Sequence, residues 1–199
     1  LASKVSQLLD LKNAGCYDLM ANCTGFQIGI STAAEKLYAD KKIKNILVIG
    51  AALQSKFLNW KKAEDCMYFG DGAGAAIVAR VPKNYGYIAS DLIGNSSAYE
   101  DVKLVGGGSN LTFNEANDNE RLKFLYSMNG LETWKQVVTY QPLVIEKTLK
   151  KSRLNISKIN LFIFHQANLN LIKYLTEKMG ISKDKVHNTI IKYGNTADA

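Results

Sequence analysis

Cys23 stands in the run Asn22-Cys23-Thr24-Gly25-Phe26, where an apolar stretch ends and a Gly-containing helix start follows. The free N–H groups and dipole at a helix start favour negative charge, so a thiol there is expected to lose its proton more easily than one in an apolar core. Thiolate is the form that attacks thioesters. His165 lies in Phe164-His165-Gln166-Ala167-Asn168, directly after apolar Leu161-Phe162-Ile163. That position presents a side chain at the carboxyl end of a strand, where α/β sheets place their sites. Asn195, in Tyr193-Gly194-Asn195-Thr196, carries an amide that can donate two hydrogen bonds. Each residue also has an ordinary reading: a small buried hydrophobe, a satisfied core imidazole, an αL turn. A cysteine peptidase would use the same three residue types, and the local motifs disfavour it.

The elements that must hold these side chains follow from periodicity. Leu1, Val5, Leu8 and Leu9 have helical spacing, and Cys16 to Ala21 reads as a short buried strand. A helix is expected from Gly25 to Ala39, with Ile28, Ala33 and Leu37 inward, then a strand over Asn45 to Gly50. Short apolar strands separated by helices imply an α/β protein with a parallel or mixed sheet covered on both faces. Phe69-Gly70-Asp71-Gly72-Ala73-Gly74-Ala75-Ala76 fits neither the dinucleotide fingerprint nor a P-loop. It reads as a tight turn satisfied by Asp71 and leading into the strand Ile77-Val78-Ala79.

A pause at Pro82-Lys83-Asn84 divides the chain into residues 1–83 and 84–199. A strand is expected over Tyr85 to Leu92, a long surface excursion over Ile93 to Asn119, and a long helix over Leu131 to Leu149. Ile159 to Phe164 reads as a strand, Asn168 to Met179 as a helix closed by Gly180, and Val186 to Thr189 as a last strand. The second part thus repeats the α/β theme of the first.

Composition excludes several classes. A chain of 199 residues with 47% hydrophobic content and two prolines is globular, and no apolar run is long enough to span a membrane. Three cysteines and two histidines fit neither a disulfide framework nor a zinc site, so reduced, cytoplasmic chemistry without a metal is expected. The net charge of +7 comes from dispersed lysines without interleaved aromatics, which argues against nucleic acid and for an acidic protein partner.

Taken together, the motifs around Cys23, Phe69-Gly70-Asp71-Gly72-Ala73-Gly74-Ala75, His165-Gln166-Ala167-Asn168 and Tyr193-Gly194-Asn195-Thr196 resemble β-ketoacyl-[acyl carrier protein] synthase III in order and spacing. The resemblance implies a thiolase-like layered αβαβα fold of two similar halves, truncated here at both ends. The nucleophile would lie in residues 1–83, and the His and Asn motifs in residues 84–199. It implies a cytoplasmic homodimer that starts fatty acid synthesis. Cys23 would take an acyl group from acyl-coenzyme A, and His165 and Asn195 would stabilise the enolate formed as malonyl-[acyl carrier protein] loses carbon dioxide. No cofactor is implied, coenzyme A thioester being a substrate. Met128 and Trp134 would line the acyl tunnel, and Lys135 and Lys178 would contact the acidic carrier protein. A second oxyanion donor would come from a C-terminal region, so this stretch alone is expected to be inactive.

The chain departs from the family pattern at two places. Glu64 stands where an adenine-stacking arginine is usual, and Asn170 stands at a second arginine position. An acid cannot stack and pair as a guanidinium does. Lys61 or Lys62 could compensate, or a carrier protein could deliver the acyl group. Alternatives are a related acyltransferase of secondary metabolism with another donor or acceptor, and a non-catalytic partner subunit.

Overall fold

A computed structural model describes residues 1–199. The helices are α1 (Ala2–Leu8), α2 (Gly25–Ala39), α3 (Ala63–Cys66), α4 (Gly130–Ser152), α5 (Leu169–Lys178) and α6 (Ile190–Tyr193). The strands are β1 (Asn45–Ala52), β2 (Gly72–Ala79), β3 (Val102–Lys103), β4 (Ser127–Met128), β5 (Phe162–Ile163) and β6 (Val186–His187). None of the helices is long and apolar enough to cross a membrane.

β1 and β2 form an antiparallel ladder in register from Asn45 opposite Ala79 to Ala52 opposite Gly72. Along both strands alternate residues face inward, so Val48 meets α2 while Leu47, Ile49 and Ile77 face outward and are exposed. A Cβ added at Gly29 of α2 would lie 2.7 Å from Val48 Cγ1, a measure of how closely the helix sits on the sheet. Two expectations are corrected here. The apolar strand sequence predicted cover on both faces, yet within this chain only one face carries a helix. Cys16 to Ala21 and Tyr85 to Leu92 have strand-like composition but join no ladder, because no strand of the chain pairs with them.

The second part has the parallel arrangement its pattern implies. β5 and β6 pair in parallel, with α5 as the crossover between them. Phe164, Leu171, Ile172, Leu175 and Ile181 form its core, against which Trp134, Val137 and Val138 of α4 pack. Asn168 caps α5 through its side-chain oxygen, which accepts from the N–H groups of Asn170 (2.8 Å) and Leu171 (3.4 Å). Gly180, at φ +63°, closes it as read from sequence.

The glycine motif is the largest departure. Gly72 and Gly74 are strand residues of β2, not turn residues. Asp71 satisfies Ser55 rather than its own turn: Ser55 donates its backbone N–H (2.9 Å) and its hydroxyl (2.6 Å) to the carboxylate. Both bonds hold the Asp71 carboxyl below the usual range, the hydroxyl having the larger effect.

Candidate active site

Cys23 occupies the middle of a 3-10 turn, Asn22–Thr24, that runs straight into α2. Asn22 sits at φ +48°, the left-handed region that Asn tolerates better than most residues. The Thr24 hydroxyl donates to the Ala21 carbonyl at 2.8 Å and tightens the turn. The Asp198 side chain lies directly above Gly25. The Asp198 carboxylate oxygen is 2.7 Å from where a Cβ would stand.

Two effects act on Cys23 besides the helix start. Burial pushes the thiol up, and the neighbouring Asp198 charge adds to the rise, while a backbone hydrogen bond opposes both. Desolvation and a like charge both favour the protonated thiol, against the half-charge of the helix start. Replacing Asp198 with Asn removes one cause and leaves the larger. The pH midpoint for alkylation of Cys23 by iodoacetamide, followed by mass spectrometry, is expected to fall while staying above that of an exposed cysteine. An unchanged midpoint would separate Asp198 from the thiol.

Asn195 is 6% exposed and pinned from several sides. Its backbone N–H donates to the Tyr68 carbonyl at 2.7 Å, and its carbonyl accepts from Gly70 N–H at 3.0 Å and from Gln54 Nε2 at 2.7 Å. The side-chain oxygen accepts from Ala197 N–H at 3.0 Å, which leaves the NH₂ end of the amide free to donate elsewhere. The glycines of the motif now have a reason. A Cβ at Gly70 would lie 2.1 Å from the Tyr193 carbonyl oxygen, and one at Gly72 would lie 3.0 Å from Thr196 Cγ2. Gly50 on β1 is equally constrained, its missing Cβ falling 2.1 Å from the Asp198 carbonyl oxygen. These bare positions form a floor on which residues 193–198 rest.

His165 follows β5 and is largely enclosed; burial lowers its pKa, and contact with the Ala197 backbone works the other way. The net effect is a neutral imidazole at neutral pH, with one N–H donor and one acceptor nitrogen. Its motif neighbours have structural duties. Gln166 donates to the Phe164 carbonyl (2.9 Å) and the His187 carbonyl (3.3 Å), and its oxygen accepts from the N–H groups of Thr189 (2.8 Å) and Ile190 (3.1 Å). His187 itself is exposed.

One short segment therefore touches all three chemically distinctive residues. Asn195 is in it, Ala197 contacts His165, and Asp198 lies beside Cys23. The profile of 3-oxoacyl-[acyl-carrier-protein (ACP)] synthase III matches residues 17–96, and that of its C-terminal part matches residues 149–199. The chain belongs to this synthase III family.

It is 34% identical over 195 residues to β-ketoacyl-[acyl-carrier-protein] synthase III of Fusobacterium nucleatum, covering 98% of this chain and 59% of the relative. It is 35% identical over 198 residues to that of Desulfitobacterium hafniense strain Y51, covering 100% and 59%. The crystal structure of the synthase III of Aquifex aeolicus matches with a TM-score of 0.85 at 32% identity, over 100% of this chain and 59% of that one. The chain thus has the thiolase-like α/β fold of synthase III and spans 59% of the length of these relatives.

The remaining positions singled out in sequence have partners elsewhere in the chain. Met128 pairs with Val102 in the β3–β4 ladder. Trp134 packs on the core cluster, its ring 6.0 Å from that of Tyr174. Lys135 is exposed and pairs with Glu132 at 2.6 Å, and the exposed Lys178 donates to the Val138 carbonyl at 3.0 Å. Glu64 is paired with Lys62 at 3.5 Å, and Lys62 also meets the buried Asp65 at 3.2 Å. Cys66 donates weakly to the Ala63 carbonyl, and Cys16 is exposed.

Sequence reasoning missed Tyr126, Gln54 and Asp198. The Tyr126 ring stands edge-on to Phe69 at 5.0 Å, and Phe69 bridges to Asn195. Burial first, then the charges of Cys23 and Asp65, push its phenol up to about 12, so it is a protonated hydroxyl within electrostatic reach of Cys23. Nothing local distinguishes a tyrosine or a glutamine in a loop. Asp198 had a visible signal, a lone charge among the small residues that follow Asn195.

Proposed function

We propose that the protein carrying this chain is a decarboxylating condensing acyltransferase that starts fatty acid synthesis. The observation that carries this reading is the contact of one segment, residues 195–198, with the surroundings of both Cys23 and His165. Cys23 and its helix belong to residues 1–83, and His165 and Asn195 to residues 84–199, so the site is built across the two parts.

In the first half-reaction the Cys23 sulfur attacks an acyl-coenzyme A carbonyl, the thiol proton leaves, and coenzyme A departs as its thiol. The raised thiol means that a base or solvent must take this proton at the moment of attack. In the second, the bond between the malonyl carboxylate and the α-carbon breaks. Its electron pair forms an enolate on the thioester oxygen, and carbon dioxide is released. The neutral His165 N–H and the free Asn195 NH₂ donate to that oxygen. Preorganised donors of this kind each contribute about 2.7–4 kcal/mol to a barrier. The α-carbon then attacks the Cys23 thioester, a carbon–carbon bond forms, and the sulfur leaves as thiolate.

Met128 and Trp134 are proposed to border the acyl group, and Lys135 and Lys178 to meet the acidic acyl carrier protein. Pairing as a homodimer in the cytoplasm completes the reading. The test is mass spectrometry of the full-length protein after incubation with acetyl-coenzyme A, a longer acyl-coenzyme A and acyl-carrier-protein thioesters in separate reactions. An acyl mass is expected on the peptide carrying Cys23 and none in Cys23→Ala. The donor that succeeds also decides whether Glu64 has displaced coenzyme A from its usual role. No adduct from any donor would overturn the reading.

A further inference from the structure

Gln54 lies in a 3-10 turn, Gln54–Lys56, just beyond β1, and its side chain reaches across to the Asn195 loop. Its single NH₂ group donates twice, to the Asn195 carbonyl at 2.7 Å and to the Gly70 carbonyl at 3.0 Å. The two acceptors are 125 residues apart in sequence and adjacent in space, because Gly70 N–H also donates to the Asn195 carbonyl. Ser55, the next residue, holds Asp71 by two further bonds. The Gln54-Ser55 turn thus grips both the motif that floors the site and the residue standing on that floor.

We infer that Gln54 is a positioning residue that sets the orientation of the Asn195 amide for enolate stabilisation, an inference that rests on the condensing-enzyme reading above. The peptide after Asn195 is clamped between Gly70 N–H on one side and the Gln54 amide on the other. The Asn195 side chain is in turn tied to Ala197 N–H, two residues on, so fixing that peptide fixes the direction of the amide. Donors act on a developing oxyanion only when they already point at it, and a displacement of about 1 Å can cost 10²-fold. Gln54 touches neither Cys23 nor His165 by any hydrogen bond, so its influence is confined to the half-reaction that uses Asn195.

Loss of the Gln54 donor leaves the Asn195 carbonyl with its Gly70 partner, so the loop stays attached but less constrained. Gln54→Leu removes both donors at similar size, and Gln54→Glu keeps the shape but presents a carboxylate to two carbonyls. In the full-length protein both variants are expected to acylate Cys23 within about twofold of the wild type. Decarboxylation of malonyl-[acyl carrier protein] is expected to fall about tenfold or more, in turnover rather than in KM, with Gln54→Glu at least as impaired. In an Asn195→Ala background, Gln54→Leu is expected to cost nothing further. Equal losses in both half-reactions, a full extra loss in the Asn195→Ala background, or no loss at all would each overturn the assignment. A wild-type protein that neither acylates Cys23 nor decarboxylates would instead bring down the parent reading and this one with it.

Discussion

Replacing His165 or Asn195 with alanine in the full-length protein is expected to lower malonyl decarboxylation by about 10²- to 10³-fold for each residue, while Cys23 still takes an acyl group. The separation follows from what each side chain can donate. The Asn195 oxygen is occupied by Ala197 N–H, so the amide has only donors to offer the site. His165 is kept neutral by burial. A group whose pKa is lowered stays uncharged from the ordinary histidine midpoint upward and takes a proton only below it. The acid limb of the decarboxylation rate, if His165 governs it, therefore lies below pH 6.5, the ordinary histidine value. A limb above that value would show that another group is titrating. Equal loss of acylation and decarboxylation in either variant would show that the two steps are not divided as proposed. The half-reactions are read separately, by the acyl mass on Cys23 and by release of carbon dioxide.

Gly70→Ala is expected to cost stability and decarboxylation together. The added methyl would stand 2.1 Å from the Tyr193 carbonyl oxygen, and the atom in its way is backbone, not the end of a flexible side chain. The loop must lift from β2 or the strand must bend. Forced overpacking of this sort costs about 1–3 kcal/mol. The bonds that would stretch first are Gly70 N–H to the Asn195 carbonyl and Asn195 N–H to the Tyr68 carbonyl. Asn195 would then be carried away from its working position, so the activity loss is expected to exceed the stability loss. Gly94→Ala is the control, because a Cβ there meets nothing within 4 Å. A lowered melting temperature with full activity would mean that the floor supports the fold but not the site. No change in either would mean that the loop does not rest on it.

Helices were the most legible part of the chain. Gly25 to Ala39 carries its inward residues at helical spacing, and α2 spans that range. The Gly180 stop announced the end of α5, since such a stop acts within a few positions of the helix. Strands were less legible. Cys16 to Ala21 has the composition of a strand, but a strand exists only with a partner, and composition does not name one. The glycines of residues 70–74 were legible as a special backbone but not as a landing surface. Their use depends on residues 193–199, more than 100 positions away.

Residue type and local spacing determined which atoms here can do chemistry: the thiol of Cys23 before a helix, the imidazole of His165 after a strand, and the amide of Asn195 in a glycine turn. Only the tertiary structure decided how those groups are tuned. It placed Cys23 beside Asp198, where burial and a like charge raise the thiol. It also brought Gln54 onto the Asn195 carbonyl and Tyr126 within electrostatic reach of Cys23. The reason is physical. Capping and periodicity act over a few residues along the chain, whereas desolvation, charge–charge interaction and backbone contact act through space between residues that the sequence keeps far apart.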